Sequence, residues 1–394
     1  MMAVRNIFIF RVLLLALIVL AAAGCQRDGK KSIKTTITGS FSQLAGKSVS
    51  LSEFDITSAT PLDTVKIDDK GNFRFKFRRK GAGFYLVKVD NRNFITLVLD
   101  QEKNIRIQSS EANIRKNYSI NGSPDSEIFR DFEMFTEVNR NKVDSLSKTF
   151  NNQMRSTAFR SLKPELDKEY QEIFGQQVRY AQQFIENHCS SLSTLLVLNK
   201  RFGERRILTE EDNFTHFVMA DSCLRFHYPD NKHLKELNKK ITIARQNRRI
   251  FDITEAQLAP GKTIPDISLG DVNGKQVRLY SFEGRPVILY FWASWDHSSR
   301  KANKVIRELA ENSAQNPVVY AIALESYKEM WQEAIRQDGL DNWINVSDLL
   351  NIKSSAKTMF NIPDTFPYFF YLDKDLYIRY KGNDFSRLET ELNR

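Results

Sequence analysis

The chain has 394 residues, which is long enough for two or three domains. Its hydrophobic fraction of 41% and charged fraction of 27% are those of an ordinary globular protein. The formal net charge is +10, but the basic residues are scattered and form no stripe interleaved with aromatic residues, which argues against a nucleic-acid-binding protein.

Residues 1–24 have the pattern of a signal peptide. Their apolar run, residues 12–23, is too short to span a bilayer and suits the core of a cleavable signal. The motif Ala22-Ala-Gly-Cys25 resembles the lipobox of bacterial lipoproteins, with an alanine where a leucine is usual. This resemblance implies that Cys25 is lipidated and that residues 25–33 tether the mature chain to a membrane. A signal peptide without lipidation and an uncleaved membrane anchor are the alternatives.

The cysteine content leaves one question open. An exported chain reaches a compartment where disulfides persist. Apart from Cys25, the sequence holds only Cys189 and Cys223. These two residues can form a disulfide or stay as buried free thiols, because pairing depends on a distance that the sequence does not supply. Neither has a second cysteine at Cys-x-x-Cys spacing, so neither has the pattern of a catalytic thiol.

Residues 34–123 predict a β domain. Short segments such as 73–77, 85–89 and 94–99 alternate apolar with polar residues, and turn signals such as residues 68–72 separate them. Alternation gives each strand one buried and one solvent-exposed face, so we expect a small antiparallel sandwich or barrel.

The same segment resembles a family of uncharacterised β domains at the front of thioredoxin-like envelope lipoproteins. The matching pieces are Thr38-Gly39 and residues 63–73, 84–86 and 121–123. The resemblance implies a spacer or docking domain that contributes no catalytic residue.

From residue 124 to 258 the apolar period becomes helical. The pair Ser123-Pro124 predicts a helix cap followed by a first-turn proline. The motif Thr209-Glu-Glu-Asp212 resembles a capping box that starts another helix. His216 and His227 have no second ligand three or four residues away, so we expect no metal site. The region is predicted to be a helical connector.

Residues 259–394 alternate apolar runs with helical patterns. Strands are predicted at 287–291, 318–324 and 368–372, and helices from about 297, 327 and 385. Val272-Asn-Gly-Lys275 predicts a hairpin turn. Alternation of this kind predicts an α/β sheet with helices on its faces. The segment also resembles thioredoxin-like domains of the TlpA/ResA type, which are related to AhpC/TSA proteins, through residues 260–269 and 279–286.

The segment Phe291-Trp-Ala-Ser-Trp-Asp-His-Ser-Ser-Arg300 carries the most specific part of this resemblance. Active members have Cys-x-x-Cys after the second tryptophan, whereas Asp296 and Ser299 stand at the two cysteine positions here. Both redox roles need sulfur, so no catalytic residue is expected. Asp296 instead suits a helix N-cap. Tyr290 stands where relatives often carry an acid that moves protons to or from the thiol.

The family also carries a cis-proline that faces the redox motif. Pro363 and Pro367 compete for this position, and Asp373, six residues after Pro367, favours Pro367. Two ordinary trans prolines are the alternative. The resemblance then implies a groove formed by Trp295, Asp296, His297, Phe366 and Pro367, which would hold an extended partner segment by adding a strand.

Together these patterns predict an exported, lipid-anchored protein of the cell envelope, in the outer membrane, with the periplasmic side favoured over the alternative of the cell surface. We expect a non-catalytic module for an unidentified protein or peptide partner, with a membrane contact through the lipid and with no cofactor, metal or nucleic acid. Two alternatives remain: a thiol-disulfide oxidoreductase of the TlpA/ResA type that acts through Cys189 and Cys223, and a structural lipoprotein whose groove binds nothing.

Overall fold

The computed structural model describes residues 32–156 and 158–394. The predicted signal peptide and Cys25 lie outside these residues. The chain divides after Ala244 into two compact units, the second of which is Arg245–Arg394. No helix within the two described ranges is both long and apolar enough to cross a bilayer.

The first unit opens with eight strands. They are β1 (Ile33–Phe41), β2 (Ser48–Phe54), β3 (Ala59–Lys66), β4 (Asn72–Arg79), β5 (Gly83–Lys88), β6 (Phe94–Leu99), β7 (Asn104–Ser109) and β8 (Ser119–Asn121). Two four-stranded sheets form, in the orders β4-β1-β7-β8 and β3-β2-β5-β6. Ile37, Leu51 and Phe75 belong to their shared buried core. The predicted β sandwich is therefore confirmed.

One strand pair differs from the antiparallel expectation. β1 pairs with β4 in the antiparallel sense but with β7 in the parallel sense, for example at Ile37 and Ile105. The second sheet lies between these two strands in the sequence, so their connection is a long crossover and not a hairpin. A crossover permits parallel pairing, which a tight turn forbids.

Helices follow the strands. They are α1 (Pro124–Gln153), α2 (Phe159–His188), α3 (Thr194–Leu198), α4 (Phe214–His227) and α5 (Lys232–Gln257), with the short strands β9 (Arg201–Phe202) and β10 (Arg205–Arg206) between α3 and α4. α1 begins as predicted, because the Ser123 hydroxyl accepts a hydrogen bond from the Ser126 amide. Phe84 and Val98 of the second sheet lie in one buried cluster with Phe132 of α1. The strands and helices up to Ala244 therefore share a core.

Only half of the predicted capping box forms, and it does not lie at the start of a helix. The Thr209 hydroxyl accepts the Asp212 amide at 3.1 Å and donates to the Asp212 carboxylate at 2.9 Å. α4 begins only at Phe214, with Asn213 as its N-cap residue. The reciprocal hydrogen bonds thus close a turn that precedes the helix.

The second unit is an α/β domain. Its strands are β11 (Ser268–Asp271), β12 (Gln276–Arg278), β13 (Val287–Trp292), β14 (Val318–Ala323), β15 (Ile344–Ser347), β16 (Tyr368–Leu372) and β17 (Ile378–Gly382). Its helices are α6 (His297–Asn312), α7 (Lys328–Asp338), α8 (Ser355–Met359) and α9 (Phe385–Leu392). The sheet order is β12-β11-β15-β14-β13-β16-β17, and β13, β14 and β15 run parallel. The predicted α/β architecture is confirmed.

β13 lies near the middle of this sheet and is buried along its whole length. Alternate side chains of β13 pack into two separate buried clusters. Tyr290 and Trp292 belong to the cluster that includes α6 and α9. Leu289 and Phe291 belong to the cluster on the other face of the sheet. Burial on both faces explains why this strand is a continuous apolar run instead of an alternating one. It also fixes where the chain leaves the sheet at Trp292.

Candidate functional site

The candidate site lies where β13 ends and α6 begins. The carboxyl ends of the parallel strands β13, β14 and β15 meet at one edge of the sheet, which is where open α/β sheets bind ligands. Residues 293–296 cross this edge, and the Asp296 amide donates to the Ala293 carbonyl at 3.2 Å. The turn thereby delivers the chain directly into the first turn of α6.

Asp296 is the N-cap of α6, as the sequence predicts. Its carboxylate accepts the Ser299 amide at 2.6 Å, and its carbonyl accepts the Arg300 amide at 3.1 Å. A helix N-terminus carries unpaired amides and partial positive charge, both of which favour a carboxylate. The environment that would stabilise a thiolate therefore holds a capping carboxylate instead.

Ser299 stands where the sequence resemblance would place the second cysteine. It is fully buried, and its hydroxyl has no hydrogen-bond partner among residues 32–156 and 158–394. A buried hydroxyl without a partner usually costs about 1–3 kcal/mol. Neither Asp296 nor Ser299 can form or resolve a mixed disulfide, because that exchange passes through sulfur at both steps.

Tyr290 links β13 to the first turns of α6. Its hydroxyl donates to Asn303 Oδ1 at 2.9 Å, and its oxygen lies 3.3 Å from the Ser299 carbonyl oxygen. Burial raises the pKa of the Tyr290 phenol well above its ordinary value, with smaller effects in the same direction from Asp296 and Asp338. The tyrosine therefore acts here as a neutral structural donor.

The outer side of α6 is held by an ion pair with the end of α7. Arg300 donates from Nε to Asp338 Oδ2 at 2.6 Å and from Nη2 to Asp338 Oδ1 at 2.7 Å. Asn303 Nδ2 donates to the same carboxylate at 2.6 Å. Bidentate arginine contacts fix orientation as well as distance. The start of α6 is thus rigidly placed beside the sheet edge.

Trp295 is the exposed part of the site. Half of its surface is accessible, while its indole Nε1 donates to the Leu324 carbonyl at 3.1 Å. Its ring lies edge-on to Phe366, with centroids 6.0 Å apart and planes at 89°. The Phe366–Pro367 peptide bond is cis, as predicted for Pro367 in preference to Pro363.

The structure thus groups four of the five predicted groove residues. Trp295 and Phe366 are in ring contact, and Asp296 and Pro367 follow them in the chain. His297 is exposed at the first position of α6. In the described part of the chain it has no hydrogen bond and no ring contact with Trp295 or Phe366. It lies beside the groove residues without joining them.

Glu325 is a site residue that the sequence analysis missed. It lies just beyond β14, after Leu324, is 2% exposed, and accepts a hydrogen bond from the Ser294 amide. Burial raises the pKa of its carboxyl, against opposing effects of the Ser294 hydrogen bonds and Arg300. Its place just beyond an apolar parallel strand is the signal that could have identified it.

An apolar rim borders this edge. Tyr327, Leu350 and Ile352 are each more than half exposed, and they follow β14 and β15. The two loops are joined, because the Asn351 amide donates to the Glu325 carbonyl at 3.0 Å. Exposed aromatic and aliphatic side chains that cluster together mark interaction surfaces more often than scattered ones do.

The two remaining cysteines lie in the other unit. Cys189, at the end of α2, and Cys223, within α4, form a disulfide with a Cα–Cα distance of 5.7 Å. The sequence left this pairing open. The second unit, Arg245–Arg394, contains no cysteine.

A parallel β core flanked by antiparallel strands, with a helix that starts at the central strand and faces a cis-proline, defines a thioredoxin-like domain. Residues 260–381 match the AhpC/TSA family, and residues 35–129 match a domain of unknown function, DUF4369. The chain therefore contains a segment that matches DUF4369 and, at its C-terminal end, a thioredoxin-like domain that matches the AhpC/TSA family.

The solved structures that are similar to the chain cover about a third of it. A thiol-disulfide oxidoreductase from Bacteroides fragilis is 27% identical over 33% of this chain and 97% of its own, with a TM-score of 0.31. The thioredoxin domain of a thiol-disulfide oxidoreductase from Bacteroides vulgatus is 23% identical over 34% of this chain and 99% of its own, with a TM-score of 0.31. A domain of a "possible thiol-disulfide isomerase" from Cytophaga hutchinsonii is 30% identical over 34% of this chain and 91% of its own, with a TM-score of 0.31. No curated protein sequence matches the chain.

Proposed function

We propose that this protein is a lipid-anchored component of the cell envelope whose thioredoxin-like domain binds an extended segment of a partner protein and does not exchange disulfides. One observation carries the proposal: the carboxylate of Asp296 caps α6 at the place of the attacking thiol. A helix N-terminus at the end of a central strand would suit a reactive thiol, and positions 296 and 299 carry no sulfur.

The contacts at the sheet edge support a binding role. Trp295 and Phe366 present a paired aromatic surface, and the exposed side chains after β14 and β15 extend it. Aromatic side chains that are only partly buried are the usual anchors of protein interfaces. An apolar side chain of the partner would pack against this pair.

The backbone beside the proline supports recognition of an extended segment. β16 begins at Tyr368, so Phe366 lies just outside the strand ladder. No hydrogen bond of the Phe366 amide or carbonyl is found among the described residues, and Pro367 has no amide to donate. An extended peptide can pair with such a free backbone edge and gain main-chain hydrogen bonds.

A disulfide-reduction assay tests the non-catalytic part. The unlipidated chain from residue 26 is added to a mixture of dithiothreitol and a protein disulfide substrate such as insulin. We expect the reduction rate to stay at the dithiothreitol background. An acceleration that disappears in Cys189→Ser would overturn the proposal and favour an oxidoreductase that acts through the Cys189–Cys223 disulfide.

A binding measurement tests the groove. Peptides selected by display against the unlipidated chain are measured by calorimetry with the native chain and with Trp295→Ala. We expect at least a tenfold loss of affinity, since truncation of a central aromatic anchor typically costs about 2 kcal/mol or more. Tyr377→Ala, an exposed aromatic in the turn after β16, is the matched control and should bind normally. Equal affinities of native chain and Trp295→Ala would count against the groove.

The anchor is tested separately. Cys25 lies outside the described residues, so the proposal of lipidation rests on the lipobox resemblance alone. Mass spectrometry of the mature N-terminus should show a diacylglyceryl-modified Cys25, and Cys25→Ala should release the protein from the membrane fraction. An unmodified Cys25, or cleavage at another residue, would refute the anchor.

A further inference from the structure

One face of the first β-sheet is strongly basic. Along β1, β4 and β7, buried residues alternate with residues that point away from the core. The outward positions include five exposed cations, which together are called the basic face: Lys34, Arg74, Lys76, Arg78 and Arg106.

The strand register brings these cations together. Lys34 pairs with Arg78, and Thr38 pairs with Arg74 on one side and Arg106 on the other. Neighbouring strands lie about 4.8 Å apart, so the Cα atoms of Arg74 and Arg106 are separated by roughly 10 Å. An open cleft of about 570 Å³ lies over Thr38 and is lined by both arginines. Arg78 stands about 14 Å further along the same strand as Arg74.

The basic face has no balancing carboxylate of its own. Every other outward position on the four strands is neutral: Thr36, Thr38, Ser40, Asn72, Asn104, Gln108, Ser119 and Asn121. No ion pair to any of the five cations is found in the two described ranges. Asp68 lies at the rim of the cleft, but its carboxylate accepts the amides of Lys70 and Asn72. The charge of the face is therefore available to an external anion.

The inward-facing arginine on the same strand shows the contrast. Arg79 is buried and donates to the Thr35 hydroxyl at 2.9 Å and to the carbonyls of Gly81 and Glu102 at 2.8 Å. A cation that serves the fold is thus surrounded by acceptors inside the protein. The five cations of the basic face have no comparable set.

The start of the chain indicates which anion is within reach. β1 is an inner strand of this sheet and begins at Ile33. Only residues 26–32 separate it from Cys25. A fully extended chain covers at most about 3.5 Å per residue, so a lipid on Cys25 would keep the start of β1 within roughly 28 Å of the bilayer surface.

We propose that the basic face docks on the anionic phospholipid surface of the membrane that holds the lipid anchor. The choice of a membrane as the partner rests on the proposed lipidation of Cys25, whereas the existence of the basic face does not depend on it. The geometry is complementary, because a broad sheet surface with five cations can contact several headgroup phosphates at once. Each cation near an anionic surface strengthens binding about fivefold.

Vesicle flotation with the unlipidated chain from residue 26 tests the proposal. The vesicles contain phosphatidylcholine alone or with 30% phosphatidylglycerol. We expect binding to the anionic vesicles only, with half-binding on the order of a millimolar accessible lipid and loss at high salt. The triple variant Arg74→Gln/Lys76→Gln/Arg106→Gln should bind about a hundredfold more weakly.

A matched triple variant controls for net charge. Lys142→Gln/Lys148→Gln/Arg155→Gln removes three exposed cations from the C-terminal part of α1 and the turn that follows it. It should float like the native chain, and both variants should keep the native melting temperature. Equal weakening of both variants, or equal binding to the two vesicle types, would overturn the proposal. Binding to a polyanion such as heparin without binding to anionic vesicles would overturn it in favour of a polymeric ligand.

Failure here is distinguishable from failure of the proposed function. The vesicle assay uses neither the lipid nor the groove of the thioredoxin-like domain. Peptide affinity and mass spectrometry of Cys25 report on those features independently.

Discussion

The two units of this protein differ in where they carry cysteine, and the difference is the reverse of what their folds suggest. The second unit has the thioredoxin-like fold and contains no cysteine. The first unit has a β sandwich and helices instead, and it holds the Cys189–Cys223 disulfide. The comparison separates two roles of sulfur: reaction at a helix N-terminus and cross-linking of helices.

The difference teaches that the thioredoxin-like fold does not depend on its reactive atoms. The Asp296 carboxylate accepts the Ser299 amide, so this amide at the helix start has an acceptor even though no thiolate is present. The disulfide of the first unit instead joins the end of α2 to α4, 34 residues apart in the chain. Such a cross-link stabilises mainly by restricting the unfolded chain.

The largest expected effect comes from returning sulfur to the second unit. Asp296→Cys/Ser299→Cys should convert background disulfide reduction into activity at least about tenfold above it, because a thiol at this helix N-terminus has a lowered pKa and a resolving partner one turn away. Insulin reduction by dithiothreitol measures it. Asp296→Cys alone, which lacks the resolving thiol, is the control. A folded but inactive double variant would show that the site has lost more than its sulfur.

The next effect comes from removing sulfur from the first unit. Cys189→Ala/Cys223→Ala removes a cross-link between residues that are 34 apart in the sequence. The chain-entropy relation assigns a cross-link of this span about 3–4 kcal/mol of the free energy of unfolding. The melting temperature of the first unit should fall by roughly 10 °C, as calorimetry would show. The transition of the second unit should not move. A shift of both transitions by the same amount would contradict the assignment of the disulfide to one unit.

A smaller effect tests the cap. Asp296→Ala should lower the free energy of unfolding of the second unit by about 1 kcal/mol, because the Ser299 amide loses its acceptor. Asp296→Asn should retain most of the stability, since asparagine is an equally good N-cap residue. Urea unfolding measures both. Equal losses in the two variants would indicate that charge at position 296, and not capping, is what matters.

The smallest effect concerns pH. Burial raises the pKa of Glu325 above its ordinary value of 4.5. Its contribution to stability is therefore present below that value and is lost as pH rises through the folded-state pKa. Glu325→Gln keeps an acceptor for the Ser294 amide but does not titrate. Its stability relative to the native chain should rise with pH across this window, and the exposed Glu329→Gln should show no such trend in urea unfolding at several pH values.

Local patterns made much of the second unit predictable. The fully apolar run at 287–291 predicts a strand covered on both faces, and the structure has one at Val287–Trp292. Asp296 was predictable as a cap because capping depends only on residues within one turn. β15, with four residues, and β17 escaped prediction, because so short a pattern has no distinctive period.

The sequence by itself determined most of the elements, the caps at Ser123 and Asp296 and the absence of sulfur from the motif, since each depends on neighbours in the chain. Only the tertiary structure decided the contacts between distant residues. It pairs Cys189 with Cys223, brings Phe366 against Trp295, and buries Glu325 beside Ser294. It also aligns the basic residues of three strands on one face, because register across a sheet is set by the packing of the whole core and not by any strand alone.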